Sequence, residues 1–257
     1  MPELPEVESA VRRLRSAVTG KTIRRVEVHH PALARRISSA RLRSLRGARV
    51  DGVERRGKHQ LFRLADGRVL HAHFRMTGDW HVDSAADELP RFARASITFS
   101  DDSRVVLDDP RALSTLELHA ANAPLDLGLG PEPDDPALTA ESLHAALAKR
   151  RTPIKPTLLD QRIIAGLGNI YVAEALWYAR IAPTAPASSL TVAQLRKLLT
   201  AIRRVIDRAT GARYTDSSVS RLAVYDREGK PCRRCGTPVE RIVQAGRSTY
   251  YCPKCQA

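Results

Sequence analysis

The chain has 257 residues, 42 of them Lys or Arg against 28 Asp or Glu, for a formal charge of +14. That length admits two domains with real cores. The positive excess points to a polyanion, nucleic acid first, with a membrane surface as the competing reading; no apolar run comes near the roughly 20 residues of a membrane-spanning helix, and no membrane partner is expected. No basic-then-apolar leader opens the sequence, so no signal peptide is expected and the protein is expected in the cytoplasm, with the nucleoid.

The chain begins Met1-Pro2-Glu3-Leu4-Pro5-Glu6-Val7-Glu8. Once Met1 is removed, Pro2 becomes a terminal secondary amine beside the carboxylates Glu3 and Glu6. Such an amine is only partly protonated near neutral pH, at about pKa 7.7–8.0 for a generic terminus, and can attack an aldehyde-like carbon to give an iminium. Taken alone, the segment is the solvated, frayed end that most acidic N-termini are. Pro5 suits a first helical turn, and Val7, Val11, Leu14 and Val18 follow at helical spacing until Thr19-Gly20 stops the helix.

From Lys21 to about Leu118 short alternating runs predict strands at Ile23–Val28, Ala48–Arg55, Gln60–Leu64, Arg68–Phe74, Ala95–Phe99, Arg104–Leu107 and Leu113–Leu118. Asp66-Gly67 and Asp101-Asp102-Ser103 mark turns between them. The pattern is that of a β-sandwich carrying the leading helix. The Gly- and Pro-rich stretch around 128–136 fits neither element type and reads as a linker.

Beyond it the texture is helical. Thr139 can cap a helix running to about Lys149, and Thr191 a longer one with Leu195, Leu198, Ile202, Val205 and Ile206 on one face. Between them, two helical segments are joined by Gly166-Leu167-Gly168. Glycines before a helix let a backbone approach closely, and the N–H groups that follow can bind phosphate, with Asn169 adding a side-chain contact. The same residues also make an ordinary helical corner in a core.

All four cysteines fall near the end, as Cys232-x2-Cys235 and Cys252-x2-Cys255. In a reducing compartment two short-spaced pairs are the donor set of one closed, tetrahedral, structural zinc ion rather than of disulfides. A module this small folds only with its metal. Arg247, in Ala245-Gly246-Arg247-Ser248 midway between the pairs, sits at a turn-like apex from which it can reach a phosphate.

Four separated motifs in order, Pro2 to Glu8, Arg56-Gly57-Lys58, Lys155 to Glu174 and the four-cysteine tail, give a sequence that resembles the formamidopyrimidine-DNA glycosylase and endonuclease VIII family of base-excision repair enzymes. Leu4 resembles the formamidopyrimidine branch. The resemblance implies an α+β chain. An N-terminal catalytic β-sandwich (1–127) leads, through a linker (128–136), to a helical helix-two-turn-helix domain (137–225) and a four-cysteine zinc β-hairpin (226–257). It implies that Pro2 attacks the sugar C1′ of a flipped lesion nucleotide in double-stranded DNA and expels the damaged base, leaving a Schiff base from which β- and then δ-elimination cut the strand. Glu3 matches the acid that protonates the sugar ring oxygen, Glu6 a carboxylate that orients the terminus and the opened sugar, and Lys58 a hairpin lysine on the phosphate next to the lesion. Lys155, Asn169 and Arg247 match residues that clamp the kinked backbone. Met76 and Arg111 match residues that fill the gap left by the flipped base.

Two departures from the pattern bear on base recognition. Leu113 stands where the family usually inserts a Phe; Leu wedges but stacks poorly, which bears on recognition of the opposite base. The stretch from Gly211 to Val224 is short where the branch usually carries a loop that closes over oxidised guanine, which weakens the case for 8-oxoguanine. In addition, Arg91-Phe92-Ala93-Arg94-Ala95 replaces a run that often bears Lys and His. A zinc-dependent damaged-DNA-binding protein without catalysis is the other reading, but a mere binder has no reason to keep Pro2, Glu3, Glu6 and Lys58 together. One nucleophile and one clamp per chain make a monomer sufficient.

Overall fold

The computed structural model describes residues 2–35, 37–121, 123–210 and 222–257. The chain divides into two compact units, one of Pro2 and Glu6–Asp126, the other of Glu3–Pro5 and Leu127–Ala257.

Helix α1 (Leu4–Val18), which belongs to the first unit from Glu6 onward, buries Val7, Val11, Leu14 and Val18 completely, the four positions that its 3.6-residue period aligns. Gly20, at φ +81°, takes the left-handed conformation that ends it. Two antiparallel four-stranded sheets follow. One has the order β1 (Ile23–Val28), β6 (Ala93–Phe99), β7 (Ser103–Asp108), β5 (Asp79–Ser84); the other runs β2 (Val50–Arg56), β3 (His59–Leu64), β4 (Val69–His73), β8 (Thr115–His119). Alternate residues of both sheets, among them Ile97, Phe99 and Leu107 from the first and Phe62, Leu70 and Leu116 from the second, share one core with α1. Phe62 and Trp80 meet edge to face across it with ring centroids 5.5 Å apart. Burying each such side chain stabilises the unit by roughly 1.5–3 kcal/mol. The expected sandwich with a leading helix is present.

Three elements of this unit went unpredicted. Strand β5 lies at a sheet edge and buries little besides Trp80, so it lacks a clean alternation. The short helices α2 (Pro31–Ala34) and α3 (Ser39–Arg43) break the β texture between β1 and β2. They are capped by His30 and Ser38 and anchored through Leu33, Ile37, Leu42 and Leu45.

The second unit packs α4 (Ala140–Leu147), α5 (Ile154–Leu158), α6 (Asn169–Ala179) and α7 (Val192–Ala209) around one apolar core. Thr139 with Ser142 and Thr191 with Gln194 form reciprocal capping boxes at the starts of α4 and α7. The stretch 128–136 is built into this unit. Gly130 N donates to Gln161 O at 2.9 Å, Ala165 N donates to Pro131 O at 2.9 Å, and the Arg203 guanidinium donates to Pro133 O at 2.8 Å. The chain ends in the hairpin β9 (Glu240–Gln244) and β10 (Arg247–Tyr251). No helix among the described residues is long and apolar enough to cross a membrane. The short stretch from Gly211 to Val224 lies, over 211–221, outside the described residues.

Candidate active site and DNA-contacting elements

In the second unit the residue after Pro2 has a fixed place. Glu3 is buried, and its carboxylate accepts from Ile170 N at 2.9 Å and Tyr171 N at 3.3 Å in the first turn of α6. The residue preceding α6 is Gly168, which has no side chain with which to cap, so Glu3 supplies the acceptor from elsewhere in the chain. Glycine is required there. A Cβ on Gly168 would stand 2.3 Å from the Glu3 carboxyl carbon, and one on Gly166, already at φ +84°, would stand 2.5 Å from Leu4 Cδ1. The close approach expected of Gly166-Leu167-Gly168 is therefore made by Glu3 and Leu4. The Ile170 and Tyr171 N–H groups are taken by a carboxylate of the chain itself rather than left for a phosphate.

Lys155 and Asn169 converge on one carbonyl. Lys155 Nζ donates to Ser248 O at 2.9 Å and to Thr249 Oγ1 at 2.7 Å, and Asn169 Nδ2 donates to Ser248 O at 2.9 Å. Lys155 is 0 % exposed. Burial first, and then the neighbouring Arg247 charge, push its pKa down to about 8 against the opposing pull of Glu3. The Lys155 hydrogen bonds hold the start of β10. Arg247, the next residue back, is exposed at the tip of the hairpin. Its turn is the two residues Ala245 (φ +47°) and Gly246 (φ +72°), both left-handed as a tight hairpin with the right strand twist demands.

In the first unit Pro2 and Glu6 are half-buried. Lys58 sits in the two-residue turn between β2 and β3, which Gly57 closes at φ +56°. That turn is braced from α1. Glu8 accepts from Arg12 Nε and from Arg55 Nε, each at 2.9 Å, and Arg55 Nη1 donates to Gly57 O at 3.1 Å. Burial works against the Glu8 charge, but the two guanidiniums hold its pKa below the usual carboxylate range.

Met76, Arg111 and Leu113 lie on two loops tied together by a residue that sequence reasoning passed over. Asp109 is fully buried, and its carboxylate accepts from the Thr77 hydroxyl, from Arg111 N at 3.1 Å, from Leu113 N at 2.7 Å and from Ser114 N and Oγ, both at 2.8 Å. Burial would raise its pKa; these donors bring it below the ordinary value. One carboxylate thus fixes the loop that carries Arg111 and Leu113 to the loop that carries Met76. Gly78 lets them close, since a Cβ there would stand 2.4 Å from Ser114 Oγ. Met76 and Leu113 are 38 % and 40 % exposed, unusual for large apolar side chains, and Arg111 is exposed beside them. Arg94, from the divergent run, donates to Asp109 O at 2.6 Å and Pro110 O at 3.2 Å and so supports the same loop. The signal for Asp109 was its place ahead of Pro110-Arg111, which reads as an ordinary turn.

Cys232, Cys235, Cys252 and Cys255 are free thiols with all four sulfurs within 4.8 Å of one another. The expected cluster is present, and no disulfide joins its members. The spacing fits one ion, because four sulfurs about 2.3 Å from a tetrahedral zinc stand roughly 3.8 Å apart. Around them Trp177 Nε1 donates to Cys232 Sγ at 3.4 Å, and Arg234 N (3.5 Å) and Cys255 N (3.4 Å) donate to the sulfurs of Cys232 and Cys252. Such outer partners orient thiolate ligands. Glu174, also on α6, is buried and accepts from the N–H groups of Ala223, Val224 and Tyr225 at 2.8–3.0 Å, which fixes the end of the stretch from Gly211 to Val224.

Comparison with known proteins covers the whole chain. Three family models match in sequence order: the formamidopyrimidine-DNA glycosylase N-terminal domain over residues 1–116, the formamidopyrimidine-DNA glycosylase H2TH domain over 129–220, and the zinc finger found in FPG and IleRS over 229–257. The chain is 41% identical over 275 residues to a formamidopyrimidine-DNA glycosylase of an Exiguobacterium species, covering 100% of this chain and 99% of that one. It is 40% identical over 274 residues to the enzyme of that name from Thermus thermophilus, covering 100% and 98%. Among solved structures it is similar to the Lactococcus lactis formamidopyrimidine-DNA glycosylase non-covalently bound to DNA containing an AP site, with a TM-score of 0.92 at 31% identity over 99% of each chain. The same Lactococcus lactis protein, at a TM-score of 0.92 and 32% identity over 99% of each chain, has been solved with DNA containing an oxidised pyrimidine.

Proposed function

The chain belongs to the formamidopyrimidine-DNA glycosylase family and is a bifunctional DNA glycosylase and AP lyase, and from that membership we propose that it removes oxidised bases from duplex DNA through a Schiff base on Pro2. The Pro2 nitrogen forms a bond to C1′ as the bond from C1′ to the base breaks, and the base leaves with a proton. The sugar ring then opens at C1′ as its oxygen takes up a proton, leaving the iminium. That cation acidifies the C2′ protons; loss of one expels the 3′ phosphate, and a second elimination expels the 5′ phosphate and leaves a one-nucleotide gap.

The observation that carries this reading is the fixed place of Glu3. It is bonded directly to Pro2, and its carboxylate is held by Ile170 N and Tyr171 N. An acid one residue from the nucleophile is thereby available for the proton transfers at the sugar. Glu6 is the carboxylate that orients the terminus. Lys58, on its braced turn, takes the phosphate beside the lesion. Met76, Arg111 and Leu113 enter the duplex where the base has left, with Arg111 addressing the orphaned base. Arg247 takes a backbone phosphate from its tip, while Lys155 and Asn169 act through the Ser248 carbonyl to hold that tip. The four thiolates hold one structural zinc ion that keeps the hairpin folded.

Duplexes carrying single lesions test this directly. Oxidised bases should be released, and an abasic site should be cut to ends bearing phosphate on both sides. Ends left at the β-elimination stage alone would contradict the proposed second elimination. The short stretch from Gly211 to Val224 weighs against 8-oxoguanine as the preferred base, so its excision faster than that of ring-opened purines and oxidised pyrimidines would contradict that weighting.

A further inference from the structure

Four of the chain's eight histidines gather on one face of one sheet. Strand β4 lies between β3 and β8, with His71 paired to Leu61 on one side and Glu117 on the other, His59 paired to His73, and Val69 to His119. Because side chains alternate, His71, His73, Glu117 and His119 share one face, while Leu70, Ala72, Leu116 and Leu118 share the opposite face and pack in the core. Nothing in the proposed chemistry uses this cluster.

We propose that His71, Glu117 and His119 form a second metal site, for a borderline divalent cation such as Zn2+, Co2+ or Ni2+. One donor atom from each lies within 4.8 Å of the others. His71 Nδ1 and His119 Nε2 are 3.2 Å apart. Two imidazole nitrogens each about 2.0–2.1 Å from a tetrahedral ion stand roughly 3.3 Å apart, so the pair is already spaced as ligands of one ion. The other nitrogen of His71, Nε2, lies 2.7 Å from His59 Nδ1. With Nε2–H donated to His59, the Nδ1 lone pair is directed at His119 and the site between them. An outer acceptor on a ligating imidazole is the usual means of fixing its tautomer. Two imidazoles and one carboxylate select borderline transition ions over Mg2+ or Ca2+, and three protein donors leave a position for water. His71 is buried, whereas Glu117 and His119 are half-exposed, so an ion reaches the site from the side of β8.

The test uses the full-length, tag-free protein with its four-cysteine site filled with zinc. Titration with Co2+, followed by calorimetry and visible absorption, should show one further equivalent per chain without a thiolate-to-cobalt charge-transfer band, and with no zinc released. His119→Ala should abolish that equivalent and Glu117→Gln should weaken it, and either suffices should the other fail to fold by circular dichroism. His59→Phe, which removes only the outer acceptor, should lower the affinity about 10–100-fold. Absence of a further equivalent in the wild type, or its persistence in a folded His119→Ala or Glu117→Gln protein, would overturn the site and leave the histidines as a hydrogen-bonded row. Neither result bears on the proposed glycosylase chemistry.

Discussion

Glu3 and Lys155 are both buried in the second unit, and each makes hydrogen bonds with backbone or hydroxyl groups that lie far away in sequence. For Glu3 the consequence is chemical. Glu3→Gln should lower base excision by about 100-fold or more, on the scale of general acid–base catalysis, and abasic-site cleavage far less, because the abasic sugar has no leaving base to activate. Single-turnover rates on lesion and abasic duplexes measure both; equal losses would exclude that role. For Lys155 the consequence is a pH dependence. Its pKa of about 8 lies below the ordinary lysine value of 10.5, so between pH 8 and 10.5 the unfolded chain holds more protons than the folded one, and stability contributed at this site rises with pH across that window. Neutral Lys155 still donates to Ser248 O and Thr249 Oγ1. The urea midpoint of the wild type should therefore gain on that of Lys155→Met as the pH goes from 7.5 to 10, and a constant difference would contradict the buried charge. The types of these side chains were legible, since Pro2, Glu3 and Lys155 stand in recognisable motifs. Their burial was not, because it depends on α6 and β10 arriving from elsewhere in the chain.

At the scale of elements, the hairpins and loops that present the exposed residues are each stiffened by one buried or half-buried charge. Asp109 does this for the loops of Met76, Arg111 and Leu113. Asp109→Ala strips the acceptor from the Thr77 and Ser114 hydroxyls and from three backbone N–H groups. It should cost about 1–3 kcal/mol of stability for each buried donor left without a partner. In protein still folded at low temperature, base excision from duplex should fall while capture of single-stranded abasic DNA persists. Denaturant unfolding and excision assays check the two halves. The elements legible in the sequence were those with strong periodicity, α1, α7 and the central strands. Edge strand β5 and the one-turn helices α2 and α3 escaped because a single buried Trp80, or one buried leucine per turn, leaves no period to read. Asp109 escaped for a different reason: Asp before Pro is a common turn signal, and only the fold shows how many donors point at it.

Across the whole molecule, a charge of +14 and an exposed Arg247 make binding to DNA a salt-dependent matter. Arg247→Ala should weaken binding evenly across DNA sequences and reduce the slope of log affinity against log salt by about 1, without unfolding the hairpin. Cys252→Ala should release zinc and with it DNA binding, because Cys252 is buried among Trp177, Val224 and Val239, and the module has little other core. Zinc content by colorimetric assay beside a binding titration decides it; normal affinity without zinc would contradict the structural role. The central claim, that the terminal amine of Pro2 is the nucleophile, is tested most directly by borohydride reduction of Met1-free protein on an abasic duplex, followed by mass spectrometry of the proteolysed adduct. The sugar should be found on the peptide that begins at Pro2. No adduct, or an adduct on a lysine such as Lys58, would contradict it.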